Sequence, residues 1–198
     1  MIYRFMRIIA DLLLILPRRI RFYGRENIPR DGAVVLVSNH ISALDPIVVG
    51  LAAKRNVHFV AKKELFRGKF LNWFMHKMNC IPIDRDKLDR SALRESITVL
   101  REGGILGVFP EGTRGNGKEL LPFKSGVCFI ASQAPCHIVP VGVRYGGNLF
   151  NPFAKPAEVH IGASFPYEGL EGESRRDTLN RMLEKQEAAV RKLAFPAD

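Results

Sequence analysis

The chain has only three cysteines, one tryptophan and no apolar run long enough to span a membrane. Cys80, Cys128 and Cys136 are odd in number and include no Cys-x2-Cys pair, which excludes a disulfide framework and a zinc ribbon. Their apolar neighbours mark them as reduced, buried thiols of a cytosolic protein. The N-terminal apolar run from Ile8 to Leu16 is broken by Asp11 and falls short of the roughly 20 residues a spanning helix needs. Pro17-Arg18-Arg19 follows it where a signal peptide would carry a small-residue cleavage site. No Gly-x-Ser-x-Gly elbow is present, so an activated serine on such a turn is excluded. No His-x3-His and no carboxylate cluster suggests a metal. Acid is scarce as well. Asp and Glu number 20 against 30 Lys and Arg, a net charge of +10 that asks for an anionic partner: nucleic acid, an anionic membrane or a phosphorylated substrate.

What is present describes one domain. The length is 198 residues and 46% are apolar, enough for a sizeable core and too many for disorder, with no repeat or low-complexity linker. Phe5, Ile8, Ile9, Leu12, Leu13 and Leu16 recur at helical spacing while Arg4, Arg7 and Asp11 lie off the stripe. That pattern, with Arg18, Arg19 and Arg21 after it, fits either an amphipathic membrane-associating helix or a terminal helix packed on the core. We therefore divide the chain into a segment at 1–20 and a single domain at 21–198.

Apolar runs bounded by turn residues predict strands at 21–24, 33–37, 57–60, 81–85 (ending in charge), 105–109, 138–143 and 159–165. Pro140 points to an edge or a bulge in its strand. Helices are predicted over 47–53, 124–133 and 175–193, and over 91–102 with Asp89 as cap and Gly103-Gly104 as stop. Alternation of the two types gives an α/β fold with a mostly parallel or mixed central sheet flanked by helices. Between Lys54 and Lys77 seven Lys or Arg face one Glu, interleaved with phenylalanines and the single Trp73. The aromatics at 70, 73 and 74 have helical spacing, which favours a core helix or a lipid-facing surface over single-stranded nucleic acid.

Ser38-Asn39-His40-Ile41-Ser42-Ala43-Leu44-Asp45-Pro46 stands where the run 33–37 ends. A histidine there is held by a rigid strand yet faces a cleft. A carboxylate one turn later can fold back onto its second ring nitrogen, fixing the tautomer and stabilising the imidazolium. Lys62 follows the next strand, Arg85 a third, and Glu111-Gly112-Thr113-Arg114 a fourth. Ligands of such sheets bind beyond the carboxyl ends of the strands. The other histidines (58, 76, 137 and 160) have no carboxylate in a comparable turn.

Asn39-His40-x4-Asp45, Ile81-Pro82-Ile83-Asp84-Arg85, Phe109-Pro110-Glu111-Gly112-Thr113-Arg114 and Val139-Pro140-Val141 resemble, in order and spacing, the four motifs of the glycerolipid acyltransferases. The resemblance runs from about residue 21 to 165 and is nearest to the bacterial enzymes that acylate 1-acyl-sn-glycerol-3-phosphate. It implies transfer of a fatty acyl group from a thioester to the free sn-2 hydroxyl of lysophosphatidic acid, in phospholipid biosynthesis. Glycerol-3-phosphate or another lysolipid is the alternative acceptor. His40 is the expected base and Asp45 its orienter. The alcohol attacks the thioester directly, with no acyl-enzyme, and the oxyanion is met by backbone N–H groups.

The substrate phosphate is assigned to Arg114 first, because a guanidinium binds it in a bidentate way and Gly112 and Gly115 let the loop approach. Arg85 and Lys62 come next, although neighbouring acids offer them ordinary ion pairs. Glu111 either orders Arg114 or binds a substrate hydroxyl, and Thr113 donates to the phosphate or caps the turn. Val139, Pro140 and Val141 shape an acyl pocket or are core. The implied partners are an anionic membrane surface, the lysophospholipid, and acyl-CoA or acyl carrier protein as donor. No bound cofactor, metal or nucleic acid is expected, and the place of work is the cytoplasmic face of the cell membrane, peripherally. A thioesterase would use the same histidine on water. A basic nucleic-acid-binding protein would leave His40 and Asp45 without a task.

Overall fold

The computed structural model describes residues 2–12, 19–84, 87, 89–147 and 155–196. Its centre is the run Val34–Ser38, strand β2, in which Val34, Val35, Leu36 and Val37 are wholly buried. Each such side chain contributes about 1.5–3 kcal/mol relative to exposure. With apolar groups on both faces, the strand is stable only when layers cover it on both sides.

Around it stand β1 (Ile20–Tyr23), β3 (Val57–Lys62), β4 (Cys80–Ile83), β5 (Ile105–Val108), β6 (His137–Arg144), β7 (Ala157–Ile161) and the short β8 (Phe165–Pro166). They form one sheet in the order β1-β7-β6-β2-β5-β3-β4, with β8 also paired to β6. Strands β6, β2, β5, β3 and β4 run parallel, so their carboxyl ends share one edge of the sheet. β7 opposes β6, and β1 runs with β7. One apolar cluster lies on the β1 and α2 side, with α2 spanning Asp45–Ala52. The other lies under α4 (Arg90–Arg101), α5 (Gly126–Ala131) and α6 (Arg175–Ala194). The remaining helices are α1 (Ile2–Ala10) and α3 (Lys69–Lys77).

Local rules explain most of the helix ends. Asp89 Oδ1 accepts the N–H groups of Ser91 and Ala92 at 3.1 Å, starting α4. The N–H groups of Gly103 and Gly104 return to Leu100 and Val99 at 2.9 and 2.8 Å, ending it. The last carbonyls of α2 have no helical partner and are taken by arginines: Arg7 donates to Gly50 and Leu51, and Arg25 to Leu51 and Ala52. Through Arg7, and through the Val57 N–H that donates to the Tyr3 hydroxyl, α1 is held on the body.

Of the edge or bulge expected at Pro140, the edge is not found. β6 is an interior strand, bonded to β2 on one side and to β7 and β8 on the other. Within a strand a residue's N–H and C=O point the same way, and the Pro140 carbonyl accepts from Gly162. Its missing N–H therefore faces the break at 162–164, where β7 has ended and β8 has not begun. The proline sits where no ladder bond is lost. Cys128 and Cys136 are buried and Cys80 is half-buried; all three are free, and burial pushes their thiols up to about 12, 11 and 11. Among the described residues no helix is long and apolar enough to cross a membrane.

Candidate active site

The shared carboxyl edge of the parallel strands brings the polar motifs together. His40 leaves β2, and the loop 40–44 returns at Asp45, the first residue of α2, with Pro46 supplying a helical φ. Asp45 is completely buried. Its Oδ2 accepts from His40 Nδ1 at 2.8 Å and from the Ile41 and Ser42 N–H groups at 2.7 and 2.8 Å. Its Oδ1 accepts from the Tyr145 hydroxyl at 2.8 Å. Four donors thus compensate the burial of one carboxylate. A carboxylate facing Nδ1 makes that nitrogen the donor, so the lone pair lies on Nε2. Nε2 has no partner among the described residues. The imidazole keeps 13% of its side-chain surface open while Asp45 has none, so only the histidine can meet a substrate.

The ring is also clamped by stacking. Phe109, just after β5, stacks on His40 with centroids 4.4 Å apart, and Phe59 of β3 stacks on Phe109 at 5.9 Å. Phe59 can lie flat there because Gly107 has no side chain; a Cβ would stand 2.2 Å from its ring. Asn39 is buried and locks the start of the loop to β6, its amide donating to the Val143 carbonyl at 2.9 Å and its oxygen accepting the Val143 N–H at 2.7 Å.

Glu111 is a structural carboxylate. It is buried, with Oε1 accepting the His40 N–H at 2.6 Å and Oε2 the Leu121 N–H at 3.1 Å. Burial pushes its carboxyl up from the ordinary range, and the two backbone donors oppose that shift. It makes no bond to Arg114 among the described residues, so the expected ordering of Arg114 is achieved differently. The Gly115 N–H donates to the His40 carbonyl at 2.7 Å, which pins the loop carrying Thr113 and Arg114 beside the histidine. Gly112 turns that loop at φ +71°, a conformation that suits glycine. Thr113 and Arg114 are exposed, and Arg114 has no ion partner among the described residues. The N–H groups of His40, Ile41, Ser42 and Gly115 are all engaged in this arrangement, so none is free to hold an oxyanion.

The remaining expected residues divide. Lys62 ends β3 on the same edge, exposed, with its ammonium 3.6 Å from Glu64. Arg85 lies outside the described residues. Val139 and Val141 are fully buried core, Pro140 between them is buried, and none lines the cleft beside the site. That cleft, of about 570 Å³, is bordered by Ile41, Ser42, Gly115, Arg144 and Tyr145. His160 does meet a carboxylate, Glu158 at 3.0 Å, but on β7, two strands across the sheet from β2, and stacked on Tyr23. Among the described residues no group of three His, Cys, Asp or Glu could hold a metal.

Tyr145 is the residue that sequence reasoning missed. A lone tyrosine directly after a parallel strand, on the edge where the polar motifs gather, was the available signal. Burial and the adjacent Asp45 push its phenol far above the ordinary range, so it stays a donor at every working pH.

Comparison with known proteins agrees with this geometry. A family model described as acyltransferase matches residues 19–144. A Bacillus subtilis protein named 1-acyl-sn-glycerol-3-phosphate acyltransferase is 34% identical over 152 residues, 75% of each chain. A Borreliella burgdorferi protein of the same name is 35% identical over 129 residues, 64% of this chain and 52% of that one. The chain thus spans three quarters of the first relative and about half of the second. The crystal structure of the 1-acyl-sn-glycerophosphate (LPA) acyltransferase from Thermotoga maritima superposes with a TM-score of 0.70 at 25% identity, covering 96% of this chain and 79% of that one.

Proposed function

The chain belongs to the acyltransferase family, and from that membership we propose that it transfers a fatty acyl group from an acyl thioester to the sn-2 hydroxyl of 1-acyl-sn-glycerol-3-phosphate, giving phosphatidic acid. The observation that carries this reading is the 2.8 Å contact of His40 Nδ1 with the buried Asp45, which leaves Nε2 as a base beside the exposed Arg114 loop.

An alcohol is a weak nucleophile at neutral pH, so the reaction needs a base in place as the C–O bond forms. His40 Nε2 takes the hydroxyl proton while the oxygen attacks the thioester carbonyl. Asp45 stabilises the resulting imidazolium. As the tetrahedral intermediate collapses, the C–S bond breaks and the imidazolium returns the proton to the leaving sulfur. The donor in this reading is acyl-CoA or acyl carrier protein, a co-substrate, and no resident cofactor is required. Arg114 holds the acceptor's phosphate, with Lys62 as an auxiliary cation. Glu111 keeps the histidine loop and the Arg114 loop in register.

The reading places the protein peripherally on the cytoplasmic face of the cell membrane. It is supported by α1, whose Phe5 and Ile8 side chains are exposed at 61% and 56%, with Leu12 just beyond its end exposed at 56%, while Arg7 of the same helix binds the body. An apolar stripe that faces outward is suited to the acyl boundary of a bilayer.

The test is a panel assay of lysophosphatidic acid and glycerol-3-phosphate, each with acyl-CoA and with acyl carrier protein, recording free fatty acid alongside. The expected result is transfer to lysophosphatidic acid, with loss of at least about 100-fold in His40→Ala. Transfer only to glycerol-3-phosphate, fatty acid release without transfer, or near-wild-type activity of His40→Ala would overturn it.

A further inference from the structure

Helix α3 is nine residues long and buries none of them. It leans on the body through the half-buried Phe74 and Met75, and through the edge contact of His76 with the buried Phe66 at 5.2 Å. Its open side carries Phe70, exposed at 71%, with Leu71 and Trp73 each nearly half exposed, and Leu65 of the preceding turn is exposed beside them. Four large apolar side chains left in water on one short segment call for a covering phase. Lys63, Arg67, Lys69 and Lys77 surround them, all exposed and none in an ion pair among the described residues; Lys62 alone meets an acid, Glu64.

Two occupants carry negative charge, an acidic protein and an anionic bilayer. The aromatic and leucine side chains decide between them. An acidic protein surface offers carboxylates to the lysines but only the scattered apolar area of an ordinary protein surface to Phe70, Leu71, Trp73 and Leu65. A bilayer offers headgroup charge and an acyl layer at adjacent depths, which matches cations rimming an apolar tip. The segment also leaves β3 at the end of the sheet where His40 and Arg114 lie.

We propose that the turn 63–66 and α3 insert into an anionic bilayer surface as an anchor separate from α1, seating the catalytic edge of the sheet against the lipid phase. This rests on the acyltransferase reading for the identity of the substrate but not for the binding itself. Leu65, Phe70, Leu71 and Trp73 enter the acyl boundary, and the lysines and Arg67 stay at phosphate depth.

Trp73 is the chain's single tryptophan, so its emission reports this helix alone. The experiment adds vesicles of phosphatidylcholine with phosphatidylglycerol, with or without brominated acyl chains, to the whole chain. The expected result is a blue shift of Trp73 emission and quenching by the brominated chains. A Phe70→Ser, Leu71→Ser double variant, with melting unchanged because both side chains are exposed, should bind these vesicles at least about tenfold more weakly, the scale set by removing a large apolar side chain from lipid. Emission unchanged by vesicles overturns the proposal. So does a shift produced by raising the protein concentration without lipid, which marks a self-association face, or one produced only by an acidic carrier protein. Fluorescence needs no turnover, and acyl transfer to a short-chain acceptor dissolved as monomers needs no bilayer. The insertion proposal and the catalytic reading therefore fail separately.

Discussion

Tyr145 donates its hydroxyl to Asp45 Oδ1 at 2.8 Å across one hundred residues of sequence, leaving the opposite carboxylate oxygen to His40. The phenol thereby fixes which face of Asp45 the imidazole meets. Tyr145→Phe should lower kcat about tenfold or more while KM for both substrates stays near wild type, the scale expected for one hydrogen bond to a charged group. In an Asp45→Asn background the same change should cost little further. Equal losses in both backgrounds, measured as a double-mutant cycle, would assign Tyr145 to packing alone.

Glu111 holds two loops by accepting one N–H on each oxygen. Glu111→Gln keeps the shape but turns an N–H donor toward either His40 N or Leu121 N. One buried donor is then unsatisfied, and stability should fall by about 1–3 kcal/mol in urea titration. Activity should fall with it, because the lost bond is to the backbone of His40 itself.

Arg114 stands exposed on a loop tied to the His40 carbonyl through Gly115. Arg114→Ala should raise KM for the lysophosphatidic acid acceptor by about tenfold to a hundredfold and leave KM for the donor unchanged. Arg114→Lys should recover only part of this, since an ammonium lacks the paired donors of a guanidinium. A rise confined to the donor KM would move the phosphate site elsewhere.

Phe5 and Ile8 of α1 lie outward, and their replacement tests that helix apart from α3. Phe5→Ser with Ile8→Ser should weaken co-sedimentation with anionic vesicles about tenfold or more while the melting temperature holds. Unchanged sedimentation would make α1 a structural strap fixed by Arg7 and Tyr3.

Glu173 anchors the start of α6. It accepts from Arg181 Nε and Nη2, from the Thr178 hydroxyl and from the Leu170 N–H, and these donors, Arg181 first, hold its carboxyl at about 2 against an ordinary 4.5. A depressed folded value means stability present above about 4.5 and lost as pH falls toward about 2. Glu173→Gln should therefore be less stable than wild type at pH 7, and the gap between their urea midpoints should close across that window. A gap independent of pH would show that packing, not charge, sets the contribution.

Strand-end positions were legible in the sequence because the signals are local. An apolar run, a turn residue and a capping aspartate act over a few residues, and β2, β3, β5, α4 and α6 lie within a few residues of where those signals put them. The dyad was legible for the same reason, since His40 and Asp45 belong to one tight loop. For Pro140 the sequence left an edge or a bulge open, and the edge failed, because a proline reports only a missing N–H. Whether that matters depends on what lies opposite, here a break between β7 and β8 more than twenty residues away.

By itself the sequence determined the alternation of strands and helices, the dyad and the polar turns that share one edge. Tertiary structure decided that Glu111 serves the backbone of His40, that Tyr145 completes Asp45, and that Val139 and Val141 are core. The physical reason is range. Periodicity, capping and turn chemistry are written between neighbours, whereas a buried carboxylate takes its donors from whatever strand the sheet order brings beside it, and that order is set by packing the whole chain at once.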